Sequence, residues 1–210
     1  MSERRRDAAA RRLRALYGEA HGYTIPARDE ATVKRARSSS VYGEIMPAAG
    51  EQLLAALRLG REDVLYDLGS GVGKFVLQAA MGRPLRKVVG VELAPSRHDI
   101  ARGVLGRARR QGLIKARQVG LRCEDAMQTY LADATVIYTC STAFPLGFMD
   151  RLARRLATLR EGLTVEELDE PTHFDLRRVL RLDMSWQRRT PVYVYRLVSR
   201  RRRPRSARRR

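Results

Sequence analysis

Residues 64–80 read VLYDLGSGVGKFVLQAA. A short apolar run closes on Asp67, a turn follows with Gly69, Gly71 and Gly73 at alternate positions, and an apolar-periodic stretch then begins. Glycines at this spacing let the backbone turn sharply and let a ligand approach the main chain without meeting a Cβ. Twenty-five residues beyond Asp67 a second apolar run, VVGVE, closes on Glu92. An acid at the end of that strand takes both ribose hydroxyls of a nucleoside. The two strand ends together imply an adenine-nucleoside cofactor at the carboxyl edge of a parallel sheet.

The order of residues selects among such cofactors. A dinucleotide site reads G-x-G-x-x-G and sets a pyrophosphate on the helix N-terminus. Here the order is D-x-G-x-G-x-G, and a carboxylate just before the glycines repels phosphate. It suits a ligand with positive charge, such as the ammonium and sulfonium of S-adenosylmethionine. A Walker loop needs G-K-[ST]; Lys74 follows Gly73, but Phe75 comes next.

Outward from this stretch the chain alternates strand and helix. Toward the N-terminus a helix is expected over roughly 47–59 and another over 4–20, with Ala9, Leu13 and Leu16 on one side and arginines around the rest. Residues 21–41 read as polar and irregular. Toward the C-terminus strands are expected at 87–92, 118–123 and 134–140, with helices at 96–111 and 146–158. A fifth apolar run covers 163–168, and two β segments, Val179–Trp186 and Val192–Val198, read as a hairpin. The pattern predicts an α/β, doubly wound, mostly parallel seven-stranded Rossmann-like sheet of the S-adenosylmethionine methyltransferase type with a C-terminal antiparallel hairpin. Three parts are expected: a basic N-terminal helical extension over 1–40, a methyltransferase domain over 41–198, and a disordered arginine-rich tail over 199–210.

The 210 residues suffice for one domain with extensions. Charge is the unusual quantity. Lys and Arg number 42 against 23 Asp and Glu, a formal net +19, and 38 of the 42 are arginine. The last eleven residues, RRRRPRSARRR, hold eight arginines; taking those eight away still leaves +11. Such a balance points to a polyanionic partner, most simply nucleic acid or a protein bound to it. The opening MSERRRDAAARR lacks the apolar stretch of a secretory signal, and no run reaches membrane-spanning length. Cys123 and Cys140 fall at the ends of separate strands, and His21, His98 and His173 are scattered. Neither a disulfide framework nor a metal site is expected. A soluble cytoplasmic protein is expected, with nucleoid association left open, or a nuclear one in a eukaryote.

Asp125, in RCEDAMQ, closes the third strand, where it can accept a hydrogen bond from the adenine amino group. The segment TVIYTCSTAF at 135–144 closes the fourth strand, where the transferred methyl would emerge. It lacks the Asn/Asp-Pro-Pro-aromatic run that holds a flipped base in enzymes methylating exocyclic amines. Thr139-Cys140-Ser141 superficially matches the TCS of some RNA cytosine methyltransferases, but their cysteine follows the next strand and is accompanied by a Pro-Cys site missing here.

Four segments, in order, resemble the non-SET histone lysine methyltransferases, the disruptor-of-telomeric-silencing (Dot-one) family. They are VYGE at 41–44, DLGSGVG at 67–73 with VLQAA at 76–80, TVIYTCSTAF, and MSW followed by PVYVY across 184–195. The resemblance spans about 41–198. It implies that Tyr42 and Glu44 close over the methionine end of S-adenosylmethionine, that Asp67, Gly69, Ser70, Gly71 and Gly73 form the loop beneath it, that Glu92 holds the ribose and Asp125 the adenine. It implies further that Phe144 and Trp186, with Tyr193 or Tyr195, line a lysine channel. Two departures stand out. Cys140 and Ser141 occupy the place of the family's two asparagines, and the hairpin turn is one residue longer, so both tyrosines are candidates.

The resulting expectation is an S-adenosylmethionine-dependent N-methyltransferase acting on lysine of a basic or nucleic-acid-associated protein. A nucleic-acid or small-molecule acceptor is the first alternative. A basic nucleic-acid-binding protein with a vestigial cofactor site is the second, against which Asp67, Glu92 and Asp125 argue.

Overall fold

Val64–Leu68 forms the central strand, β1, and all five of its residues are buried. A near-continuous apolar run is what a parallel strand covered on both faces requires. The computed structural model describes residues 3–140, 144–159, 164–166 and 174–197. In chain order the helices are α1 Glu3–Tyr17, α2 Ala27–Arg35, α3 Pro47–Leu57, α4 Lys74–Gly82, α5 Pro95–Arg110 and α6 Leu146–Leu156. The remaining strands are β2 Lys87–Glu92, β3 Gln118–Cys123, β4 Val136–Thr139, β5 Thr164–Glu166, β6 Phe174–Leu182 and β7 Thr190–Leu197. They form one seven-stranded sheet in the order β3-β2-β1-β4-β5-β7-β6. The first five strands run parallel, β7 is antiparallel to β5, and β6 is antiparallel to β7. This is the doubly wound sheet with a terminal hairpin that the alternating pattern predicts.

Side-chain alternation along β1 divides the core. Val64, Tyr66 and Leu68 pack with Phe148, Met149, Leu152 and Leu156 of α6. Leu65, on the opposite face, joins Leu53 and Leu54 of α3 and Val76, Ala79 and Ala80 of α4. A third cluster sets Leu13, Leu16 and Tyr17 of α1 against Val72, Leu77, Val104 and Ala108. The basic α1 is therefore docked on the sheet's helical layer by its apolar stripe. Each fully buried leucine in these clusters contributes about 1.5–3 kcal/mol. Among the described residues no helix is long and apolar enough to cross a membrane.

Three expectations change. Residues 21–41 contain α2, whose single buried apolar side chain, Val33, gives no periodic signal. β6 starts at Phe174 and ends at Leu182, earlier than the predicted Val179–Trp186, so Trp186 lies in the turn. Its residues are mostly exposed, as befits an edge strand, and arginines on both faces hide the alternation. Pro191 is paired with Arg181 inside the ladder rather than breaking the turn. The serine at 141, half of the run 163–168 and the tail 199–210 lie outside the described residues.

Candidate active site

The strand order reverses beside β1, where β2 and β4 flank it, and ligands of open α/β sheets bind in the crevice beyond the carboxyl ends at such a point. A cavity of about 250 Å³ opens there. Tyr42, Gly69, Gly71, Glu92, Asp125 and Phe144 line it, together with Arg97, Cys140 and Trp186. A small adjoining cavity of about 20 Å³ reaches inward to Asp67, Glu44, Ser70, Lys74 and Cys140. Tyr42, Gly69 and Gly71 border both.

The loop between β1 and α4 is built by its glycines. Gly69, Gly71 and Gly73 hold φ of 82°, 54° and 81°, the left-handed region that favours glycine. The amides of Gly69 and Ser70 both donate to the Val91 carbonyl at 2.9 Å, which ties the loop to β2. Gly71 donates its amide to Glu92 Oε2 at 2.8 Å, and Ala94 donates its amide to Glu92 Oε1 at 2.8 Å. Each oxygen of Glu92 is thus fixed by one backbone donor and has a second lone pair for a ribose hydroxyl. Asp125 Oδ1 accepts the Met127 amide at 2.8 Å, which orients that carboxylate after β3.

The glycines have a second use: they seat aromatic rings. A Cβ on Gly71 would lie 2.5 Å from Cε2 of Tyr42, and one on Gly69 would lie 3.0 Å from Cζ of Phe144. A Cβ on Gly43 would lie 2.3 Å from Cζ3 of Trp186. Three aromatic walls of the cavity therefore rest on backbone that has no side chain. Trp186 is anchored further through its neighbour: Ser185 donates its amide to the Glu44 carbonyl at 2.8 Å, and the Glu44 amide donates to Ser185 Oγ at 3.1 Å.

Charge inside the site is predominantly negative. Asp67 is 3% exposed, and burial, followed by the nearby Glu92 carboxylate, pushes its carboxyl well above the usual range. Glu92 is raised as well by burial, against which the Ala94 amide, Arg97 and the Gly71 amide act. The nearest cation in the small cavity, Lys74, is already held: its Nζ lies 2.5 Å from Glu44 Oε1, and Tyr42 donates its hydroxyl to Glu44 Oε2 at 2.7 Å. Burial and Glu44 raise the Tyr42 phenol, so it remains a donor. A buried carboxyl raised for want of a counter-charge calls for a cationic ligand. An ammonium and sulfonium at Asp67, a ribose at Glu92 and an adenine at Asp125 fit these residues; a phosphate beside Asp67 does not.

Most of the residues expected from sequence meet here. Tyr42, Gly69, Gly71, Glu92, Asp125, Cys140, Phe144 and Trp186 share the larger cavity, and Asp67, Glu44 and Ser70 border the smaller. Gly73 caps α4. Tyr193 and Tyr195 are not among the lining residues. They sit two apart on one face of β7, ring centroids 6.3 Å apart, and β7 pairs there with β6 and β5. Sequence reasoning missed Arg97. It is buried, donates Nε to the Gly22 carbonyl at 2.9 Å and Nη2 to the Ser40 carbonyl at 2.7 Å, and stacks 4.8 Å from the Tyr42 ring centre. Asp29 of α2, also buried, accepts the Ser96 amide at 2.8 Å. Two consecutive residues of α5 thus clasp the segment that carries Tyr42. An arginine in SRHDI at a helix start gives no such sign in sequence.

The sequence profile of the family described as "Histone methylation protein DOT1" matches residues 24–173. The chain belongs to this family. Among curated proteins it is similar to the DOT1-type enzyme of Drosophila melanogaster named "Histone-lysine N-methyltransferase, H3 lysine-79 specific", at 33% identity over 139 residues, covering 61% of this chain and 7% of that protein. The protein of the same name from Caenorhabditis elegans is 29% identical over 143 residues, covering 62% of this chain and 15% of that one. The chain thus spans only a small part of the length of these relatives. Among solved structures, an RNA methyltransferase from Salinibacter ruber in complex with S-adenosyl-L-homocysteine superposes with a TM-score of 0.55 at 25% identity, covering 71% of this chain and 90% of that one. The Rossmann-like methyltransferase fold of this chain is therefore shared with that RNA methyltransferase.

Proposed function

We propose that this DOT1-family chain is an S-adenosylmethionine-dependent protein-lysine N-methyltransferase acting on a basic or nucleic-acid-associated protein such as a histone. The observation that carries it is the pairing of a buried, counter-charge-seeking Asp67 and a doubly held Glu92 with a cavity walled by Tyr42, Phe144 and Trp186. Asp67, Gly69, Ser70 and Gly71 would hold the cofactor's amino-acid end, with Tyr42 and Glu44 over it, Glu92 the ribose and Asp125 the adenine. When bound, S-adenosylmethionine would supply an electrophilic methyl for the amine, with S-adenosyl-L-homocysteine as the leaving group.

The chain's own residues do the rest. A lysine amine, with an ordinary pKa of about 10.4, must shed its proton to solvent before it can attack. Phe144 and Trp186 desolvate it and so lower that pKa, while their π-faces accept the cationic product. Cys140, which borders both cavities, stands with Ser141 where the family's asparagines are expected, and neither need carry charge. In this reading residues 41–198 are the transferase unit, residues 1–40 its basic extension, and the eight arginines of 200–210 suit a polyanion near the acceptor. The enzyme would act in the nucleus of a eukaryote or on nucleoid or cytoplasmic protein otherwise.

The formal charge of +19 favours one second reading, a nucleic-acid acceptor. Radiolabelled S-adenosylmethionine incubated with the protein and a cell lysate separates the two. Label removed by protease and resistant to nuclease supports the proposal, and the reverse pattern overturns it.

A further inference from the structure

The indole of Trp186 divides two cavities. On one side is the cofactor cavity; on the other is an open groove of about 590 Å³ between the end of α1, the start of α3 and the turn joining β6 to β7. Part of the groove's lining is apolar, from Met46, Ala48, Met184 and Trp186. Met46 and Trp186 are 41% and 40% exposed, so the groove offers apolar surface to a partner. Part of it is cationic. Arg14 of α1, Arg181 of β6 and Arg188 of the turn all line it, and none forms an ion pair with a carboxylate among the described residues. Its one acidic residue, Asp183, already accepts the Arg189 amide at 2.9 Å.

We propose that this groove docks the polypeptide flanking the target lysine, and that it selects an acidic segment carrying an apolar side chain. The inference rests on the lysine-methyltransferase reading for its direction: a lysine that reaches Trp186 from solvent brings its neighbouring residues past the groove on the far face of the indole. The three guanidiniums, which form no ion pair among the described residues, favour carboxylates, for which their planar forks are matched. They disfavour a flank as basic as the lysine itself, so the target lysine would lie in a locally acidic stretch of a protein that is basic as a whole. The apolar part of the lining takes a side chain, which a phosphate backbone would not offer. Specificity of this kind combines attraction of the right flank with repulsion of the wrong one.

Trp186 is the only tryptophan of the chain, so its emission reports a ligand at either face of the indole, and charge reversal at the groove arginines assigns the groove's share. The test titrates full-length protein with three synthetic peptides that share a central lysine and one leucine, flanked by glutamates, serines or arginines, and with a single-stranded oligonucleotide of the same charge as the acidic peptide. The expected result is an acidic peptide bound at least tenfold more tightly than the serine peptide. That preference should be lost in Arg181→Glu/Arg188→Glu and weakened in Arg14→Glu, with S-adenosylmethionine affinity unchanged in each. Equal binding of the peptides, or a preference that survives charge reversal, overturns the proposal. So does an oligonucleotide that alone perturbs Trp186 and alone is lost on reversal, since the groove would then serve nucleic acid. Transfer of label to the same peptides is read in parallel. Acidic-peptide binding without methylation removes the lysine reading and leaves the groove, whereas methylation blind to the flanks does the opposite.

Discussion

Gly43→Ala tests how the aromatic mouth is held. A Cβ at residue 43 would lie 2.3 Å from Cζ3 and 2.4 Å from Cε3 of Trp186, where ordinary contact begins at 3.4 Å. The indole must therefore shift by roughly 1 Å or more, and a displacement of about 1 Å in a positioning group can cost about 100-fold in rate. Gly43 is absent from the residues with positive φ, so alanine meets no backbone strain there. Trp186 is 40% exposed and has solvent to move into, which keeps the stability cost within about 1 kcal/mol. Turnover should fall about 10- to 100-fold while S-adenosylmethionine affinity stays within a few-fold. The emission maximum of Trp186 should move, and the thermal melt should not. Steady-state methyl transfer, calorimetry and fluorescence on the same preparation read all four quantities. A folded variant with unchanged emission and full turnover would refute the reasoning, because the indole would then not depend on the missing Cβ.

Glu92→Gln replaces one of two accepting oxygens with an N–H donor facing the Gly71 or Ala94 amide. The loss of a charge-assisted bond worth about 1.5–3 kcal/mol predicts at least a tenfold fall in cofactor affinity by calorimetry. The raised Asp67 carboxyl gives a pH dependence of definite sign. The free protein binds a proton there that the unfolded chain does not, so its stability is full in the acid range and falls as pH rises through the raised pKa. A cationic cofactor favours the carboxylate, so its affinity should climb with pH across that same window and level off above it. Asp67→Asn should flatten the profile, and an affinity independent of pH in the wild type would contradict the assignment. Arg97→Met strips the carbonyls of Gly22 and Ser40 of their donor. Cleavage within 22–42 by limited proteolysis should accelerate, with cofactor affinity falling as Tyr42 loosens; unaltered proteolysis would show that the clasp is redundant.

The cofactor half of the site is legible in the sequence because it is local. Asp67, the glycines and Glu92 sit at the ends of two strands whose apolar runs announce themselves, and the spacing of strand ends fixes their meeting. The adjacency of Tyr42, Phe144 and Trp186 is of another kind. Each ring comes from a separate segment, and only the resemblance at VYGE, TVIYTCSTAF and MSW suggests their company; the glycine seat under each ring needs coordinates. Arg97 and Asp29 were invisible because a single buried ion on an otherwise polar helix leaves no periodicity. Edge strand β6 was misplaced for the converse reason: its pleat is exposed on both faces, so arginines replace the alternation that marks a half-buried strand. Tyr193 and Tyr195 show the limit of motif transfer. Their register on β7 is set by pairing with β6 and β5 rather than by the sequence pattern.

The most direct measurement is the chemical identity of the methylated product. Purified protein, radiolabelled S-adenosylmethionine and an acid-extracted preparation of basic proteins are incubated, the proteins are hydrolysed, and the amino acids are separated. The account predicts label in Nε-methylated lysine, present with wild-type protein and lost with Asp67→Ala. Label in methylated arginine or in a nucleobase, or protein that binds the cofactor and labels nothing, would contradict it.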